Sequence, residues 1–101
     1  MKIIKRSGSE DVFDVDKIIG AIRKANDSVI DYEKLKDEQI VEIAENVEIA
    51  CENMKRSPSV EEIQDMVENQ LMNQRAFTVA RNYITYRYKR ALVRKSNSTD
   101  E

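Results

Sequence analysis

The chain has no histidine, one cysteine, one proline and two glycines among its 101 residues. Each shortage removes a class of answer. Without an imidazole there is no histidine general base and no histidine-dependent triad. Cys51 alone cannot close an internal disulfide, and with no histidine to join it a zinc site of the usual ligand types is out of reach. So few glycines and prolines argue against an architecture of many strands and tight turns. No apolar run approaches the length of a membrane helix, and the N-terminus lacks a signal-peptide core, so a cytoplasmic address is expected. The net charge of −2 gives no whole-chain attraction for nucleic acid or an anionic membrane. Any affinity for an anion has to be local.

What is present fits one well-charged globular domain, with 41% hydrophobic and 36% charged residues. Residues 2–6 (KIIKR) and 10–13 (EDVF) flank Ser7-Gly8-Ser9 and predict a hairpin, Gly8 supplying the positive φ of the turn. Asp14 is a good N-cap for a first helix, with Val15, Ile18, Ile19, Ile22 and Ala25 at helical spacing until Asn26-Asp27-Ser28 ends it. A second helix is expected from about Tyr32 to Met54, with Ile40, Ile43, Ala44, Val47, Ala50, Cys51 and Met54 as its apolar stripe. On that stripe Cys51 reads as a small core residue. Residues 55–59 (KRSPS) break the pattern and can add an edge strand to the hairpin. A third helix follows Ser59, with Val60, Ile63, Val67 and Leu71 inward and Glu61 and Glu62 at its positive start. After a weak break at Asn73-Gln74, a fourth helix is expected from Ala76 to Arg94, with Phe77, Ala80, Tyr83, Ile84 and Ala91 facing inward. Short connections make sequential helices antiparallel neighbours. The expected fold is therefore mainly α: a four-helix bundle capped by a small three-stranded β-sheet over residues 1–95. Residues 96–101 (SNSTDE) are expected to be a disordered polar tail or the start of a linker.

The stretch KRSGSE concentrates charge at the hairpin turn. Strand alternation puts Ile3 and Lys5 on one face, and likewise Asp11 with Phe13. Lys17 lies on the first turn of helix one, where a cation opposes the helix dipole by typically a few tenths of a kcal/mol. A phosphate between lysine and helix start would remove that cost, because helix N-termini are natural anion sites. A solvated charged hairpin is the competing reading. Neither GxxxxGK[ST] nor GxGxxG occurs, so spacing alone leaves both open.

KIIKRSGSEDVFDVDKIIGAI resembles the start of the ATP-cone, the nucleotide-sensing domain of ribonucleotide reductases. SVEEIQDMVENQLM and VARNYITYRYKRALVR resemble its closing half, and ENQLM and YITYR look most like the N-terminal domain of anaerobic ribonucleoside-triphosphate reductases. Ser7 stands where Asp is usual, and Asp11 where Glu often does. The resemblance, over roughly residues 2 to 94, implies ATP or dATP binding between sheet and helices, with Mg²⁺, as an allosteric effector. It implies Ile3 and Phe13 near the base and Lys5 and Arg6 at the phosphates. Asp11 and Asp14 would meet ribose or base polar groups, and Lys17 and Ile18 the nucleotide from helix one. Adenine would meet Ser59, Val60 and Gln64 at the start of helix three, and Lys89 with Tyr86 would complete the site from helix four. The implied partners are the remainder of a reductase or a second ATP-cone, and neither nucleic acid nor membrane. The glycyl-radical chemistry of such an enzyme has no residues in this segment, so the domain itself is expected to be non-catalytic.

Two other readings compete. A free-standing ATP-cone regulator resembles the reductase-operon repressors, which join this domain to a four-cysteine zinc ribbon; a single cysteine counts against it. A helical interaction module without nucleotide binding has no use for Lys5, Arg6 and Lys17 kept together. The tyrosines and cations at 83–90 face several directions on a helix, and core and rim packing suits them better than nucleic-acid stacking.

Overall fold

A computed structural model of the chain describes residues 1–96. A hairpin of β1 (Lys2–Ile4) and β2 (Glu10–Val12) leads into α1 (Val15–Asp27), α2 (Asp37–Glu52), α3 (Val60–Asn73) and α4 (Phe77–Ser96). Each helix packs against two others: α1 and α3 both touch α2 and α4. Their facing stripes make one core, in which Ile22, Ile40, Ile43, Val47, Val67, Leu71 and Val79 are fully buried. Cys51 lies in the same core, and burial, with Glu62, Glu48 and Glu52 nearby, pushes its thiol pKa up.

The hairpin pairs Lys2 with Val12, Ile3 with Asp11 and Ile4 with Glu10. Its loop is Arg6-Ser7-Gly8: Gly8 N–H donates to Lys5 O (2.9 Å) and Lys5 N–H to Ser9 O (2.8 Å). Gly8 has φ +90°, the left-handed conformation such loops need. Arg6 is thus a turn residue, outside the strand alternation. Ile3, Lys5, Asp11 and Phe13 share the face toward the helices, and Ile3 and Phe13 pack on their core.

Among the described residues the sheet has two strands, where three were expected. Residues 55–59 do approach β1, but only at one point: Ile4 N–H donates to Pro58 O (2.9 Å), and Ile4 and Ser59 form an isolated parallel bridge. Pro58 has no N–H to offer a ladder. Ser59 already caps α3, its Oγ accepting from Glu62 N–H (3.1 Å) while Glu62 Oε1 accepts from Ser59 N–H (2.9 Å).

The second helix also differs from expectation. The single helix expected over 32–54 is a short 3₁₀ turn at Asp31–Glu33, an extended Lys34–Lys36 connection, and α2 from Asp37. Buried Asn26 causes the break. Its Nδ2 donates to Leu35 O (3.0 Å) and its Oδ1 accepts from Leu35 N–H (2.9 Å), tying the backbone of the connection to the end of α1. Ala50 is exposed and Met54 lies just past the end of α2, so both leave the expected stripe. On α4 Ala80 and Tyr83 face inward as expected, joined by Val79 and by Ala76 just before the helix, while Phe77 and Ile84 face out. Ser96 is the last residue of α4; the rest of the tail expected over 96–101 lies outside the described residues.

The turn between α3 and α4 is a Schellman motif. Ala76 N–H donates to Leu71 O (3.0 Å) and Arg75 N–H to Met72 O (2.9 Å). Arg75 occupies the left-handed position, with φ 60°, where glycine is the usual residue. Removing its Cβ relieves the left-handed penalty of roughly 1 kcal/mol, offset by about half as much backbone entropy. Arg75→Gly should therefore raise the thermal midpoint by about 2–4 °C, read by circular dichroism.

Glu62 generates a pH dependence. Arg56 grips its carboxylate with two hydrogen bonds (2.8 and 2.5 Å) and Ser59 N–H adds a third. Together they hold its pKa down from 4.5 to about 2. A depressed carboxylate stabilises the fold above its unfolded pKa and loses that contribution as pH falls through the folded value. Stability should decline from about pH 4.5 to pH 2, and Glu62→Gln should flatten part of that decline in denaturant titrations run across the range.

Candidate functional site

Between the inner face of the hairpin and the starts of α1 and α3 lies an open pocket of about 430 Å³. That is within the roughly 300–1,000 Å³ of ordinary ligand sites. Its walls follow from local structure. The hairpin register brings Ile3, Lys5 and Asp11 to one face, and Phe13 continues it. Asp14 turns the chain into α1, its Oδ1 accepting from Asp16 N–H (3.0 Å), so that Lys17, Ile18 and Ala21 line the next wall. The start of α3 contributes Val60, Ile63 and Gln64, and α4 closes the pocket with Tyr83 and Arg90. Burial raises the Tyr83 phenol to about pKa 12, so it stays neutral at the pocket's apolar side.

A smaller pocket of about 220 Å³ continues from the first past Val60, Gln64 and Tyr83 to Arg6, Tyr86 and Arg87. Arg6 Nη2 donates to Gln64 Oε1 (3.4 Å), and the Arg6 guanidinium is ion-paired with Glu61. Glu61 also accepts from Arg87 Nη2 (2.7 Å), whose Nη1 reaches Asp65 (2.9 Å) and Glu68 (2.6 Å). Burial works against the Arg87 charge, but the hydrogen bonds to Asp65 and Glu68 outweigh it and leave its pKa raised.

The charge arrangement is uneven. Arg6 and Arg87 are neutralised by carboxylates. Among the described residues, no ion pair engages Lys5 or Lys17, although both line the larger pocket. Asp11 and Asp14, the acids beside them, already accept from backbone N–H groups, Asp11 from Val12 at 2.8 Å. A polyanion entering here meets two lysines that no ion pair engages among the described residues, and an apolar wall of Ile3, Phe13, Ile18 and Val60. That combination suits a ligand with a charged end and a flat apolar end.

Of the residues singled out in sequence, the larger pocket gathers Ile3, Lys5, Asp11, Phe13, Asp14, Lys17, Ile18, Val60 and Gln64. Arg6 and Tyr86 line its smaller continuation. Ser59 does not line either; it is the cap of α3. Lys89 lies in a separate groove of about 240 Å³ between α1 and α4, with Lys24, Ser28 and Asn82. Tyr86 borders that groove too, with the Lys24 ammonium 5.5 Å and the Arg90 guanidinium 6.0 Å from its ring centroid. The two pockets are also lined by Val12, Ala21, Ile63, Tyr83, Arg87 and Arg90, which the sequence reading did not place in the site. The last three had a readable signal: 83, 86, 87 and 90 share one helical face.

The ATP cone domain family matches residues 1–92. The chain belongs to the ATP-cone family. ATP-cone domains bind ATP or dATP as allosteric effectors. The chain is 38% identical, over 93% of its length, to the vitamin B12-dependent ribonucleoside-diphosphate reductase of Thermoplasma acidophilum. It is 32% identical, over 99%, to the ribonucleoside-diphosphate reductase subunit alpha of Chlamydia trachomatis. It is also 38% identical, over 95%, to the anaerobic ribonucleoside-triphosphate reductase of Haemophilus influenzae. The matched regions are 12%, 10% and 13% of those proteins, so the chain spans about a tenth of the length of these curated relatives.

The Arg87 cluster should be detectable in stability. Its side chain is 21% exposed and three carboxylates converge on it. Arg87→Met leaves them facing one another, with Arg6 still paired to Glu61. The expected loss is about 1–2 kcal/mol, larger at 20 mM than at 500 mM salt because repulsion among exposed acids is screened. Chemical denaturation at the two salt concentrations measures both.

Proposed function

We propose that this ATP-cone is an allosteric ATP/dATP-binding domain of a ribonucleotide reductase, and that its site is the pocket under the hairpin. The observation that carries the reading is the placement of Lys5 and Lys17, neither ion-paired among the described residues, beside the apolar wall of Ile3, Phe13 and Ile18. On this reading the lysines and Arg6 meet the phosphates, and charge-assisted contacts supply most of the affinity. Mg²⁺ arrives with the triphosphate and spreads its charge. The base lies against Phe13, Val60 and Ile18, within reach of the Gln64 amide, and Asp11 and Asp14 are placed for the ribose hydroxyls.

We assign the parent enzyme to the anaerobic ribonucleoside-triphosphate reductases, a cytoplasmic maker of DNA precursors. The support is the ENQLM and YITYR wording together with the Haemophilus influenzae relative. Relatives of two other reductase classes share the domain, so the sensor role is the broader part of the proposal and the parent class the narrower. The domain itself carries out no reaction. It acts because ATP and dATP bind two states of the enzyme unequally, which is the only way an effector shifts an equilibrium. The partner that differs between the states is the rest of the reductase or a second ATP-cone.

A thermal-unfolding series with Mg²⁺ and ATP, dATP, GTP or no nucleotide tests the reading. A ligand at about 100 times its dissociation constant adds about 2.7 kcal/mol, which for a domain of this size is roughly 10–20 °C. ATP and dATP should give that shift and GTP far less. Lys5→Ala and Lys17→Ala should each remove most of it. Equal response to all three nucleotides, or to none, would reject the adenine-nucleotide reading.

A further inference from the structure

Arg6 sits in the turn of the hairpin and lines the smaller pocket, yet a carboxylate already occupies it. Glu61, the second residue of α3, pairs with the Arg6 guanidinium through Oε2, while its Oε1 accepts from Arg87 Nη2 at 2.7 Å. Arg87 does not depend on Glu61 alone, because Asp65 and Glu68 hold its other nitrogen at 2.9 and 2.6 Å. Glu61 is nearly half exposed, with 46% of its side-chain surface accessible, so water can take over its solvation when a partner leaves. The carboxylate can let go of Arg6 and keep Arg87 without becoming a buried, unpaired charge.

We propose that Glu61 is a displaceable stand-in for a ligand phosphate. In the unliganded domain it holds Arg6 folded down on α3, beside Gln64, at the end of the pocket that Lys5 and Lys17 serve. A polyphosphate reaching that end takes Arg6 over, because several phosphate charges and a bidentate fork outcompete one half-exposed carboxylate. The affinity of the site is then a difference between two pairings of Arg6, and Glu61 sets it. The same exchange leaves Glu61 to Arg87 alone, so occupancy of the hairpin is felt where α3 meets α4. The inference rests on the nucleotide reading above for the identity of the natural ligand, but not for the competition itself, which any polyphosphate should reveal.

Inorganic tripolyphosphate is therefore the probe, with binding measured by calorimetry to the wild-type chain, Glu61→Gln, Arg6→Gln and the double variant. Glu61→Gln should bind tripolyphosphate about two- to fivefold more tightly than wild type, the scale expected from a partly exposed ion pair. In the Arg6→Gln background the same substitution should change affinity little, because the competition acts through Arg6. Adenosine, which carries no phosphate, should bind the wild type and Glu61→Gln alike. An unchanged or weaker affinity in Glu61→Gln, an equal gain with and without Arg6, or no tripolyphosphate binding by either chain would each overturn the proposal. Failure of the nucleotide reading has a different signature: ATP would bind no better than GTP while the Glu61 effect on tripolyphosphate remained.

Discussion

Two strands of three residues do not hold a hairpin together in water. Everything about the site depends on how this one is tied down, and the central tie is a single backbone contact: Ile4 N–H to Pro58 O, with the bridge to Ser59 beside it. That contact fixes the height of the hairpin over the helices at the point where α3 begins. The apolar side chains Ile3 and Phe13 then pack on the core, and the charged turn reaches Glu61. Because Ser59 both meets β1 and caps α3, the start of that helix and the edge of the sheet are one structure. A shift in either moves both walls of the pocket.

Electrostatics divide the site in the same way. The cations at its two ends are in different states: Lys5 and Lys17 have no ion pair among the described residues, whereas Arg6 is neutralised from α3. Lys17 opposes the dipole of α1 at a small cost. A fold has no structural use for two lysines placed against an apolar wall with no ion pair among the described residues, since exposed lysine positions are easily found elsewhere on so charged a surface. On the proposed reading the arrangement is a cost accepted for binding, which is where natural proteins depart from local optimality.

Much of this was legible in the sequence. The four helices follow from apolar periodicity, and their starts from Asp14 and Ser59, whose side chains cap as their types suggest. Alternation along the hairpin placed Ile3, Lys5, Asp11 and Phe13 together, and the pocket contains all four. Two of the misses depend on contacts made outside the segment concerned. The break before α2 is made by Asn26, nine residues from its partner Leu35, and nothing local at 32–36 forbids a helix. On α4 two apolar stripes compete. Phe77 and Ile84 were expected inward beside Ala80 and Tyr83, yet the smaller Ala76 and Val79 take their place. Small residues let α4 approach α1 and α3 closely. That preference exists only once the partners are in place, and it rotates the helix so that Arg87 and Arg90 reach the pocket while Lys89 faces the groove beside Lys24. The third strand was expected from residues 55–59 as a short extended piece. Pro58 and the cap at Ser59 left room for one bridge.

On the proposed reading, nucleotide binding influences the parent enzyme only if occupancy changes something outside the pocket. The route here is short and consists of named contacts. The larger pocket touches α4 through buried Tyr83 and through Arg90, and the smaller one through Arg87, which Glu61 links to the hairpin turn. Packed helices do not deform continuously, because their interiors are dense. A change in which carboxylate holds which arginine is different, since it switches between discrete pairings at little packing cost. On the proposed reading, the phosphates act at Arg6 and the consequence appears at Arg87, one ion pair away, on the surface where α3 and α4 meet. That places the readout on side chains that do not themselves touch the adenine. The base can then decide which nucleotide is held, while the phosphates decide what the holding does.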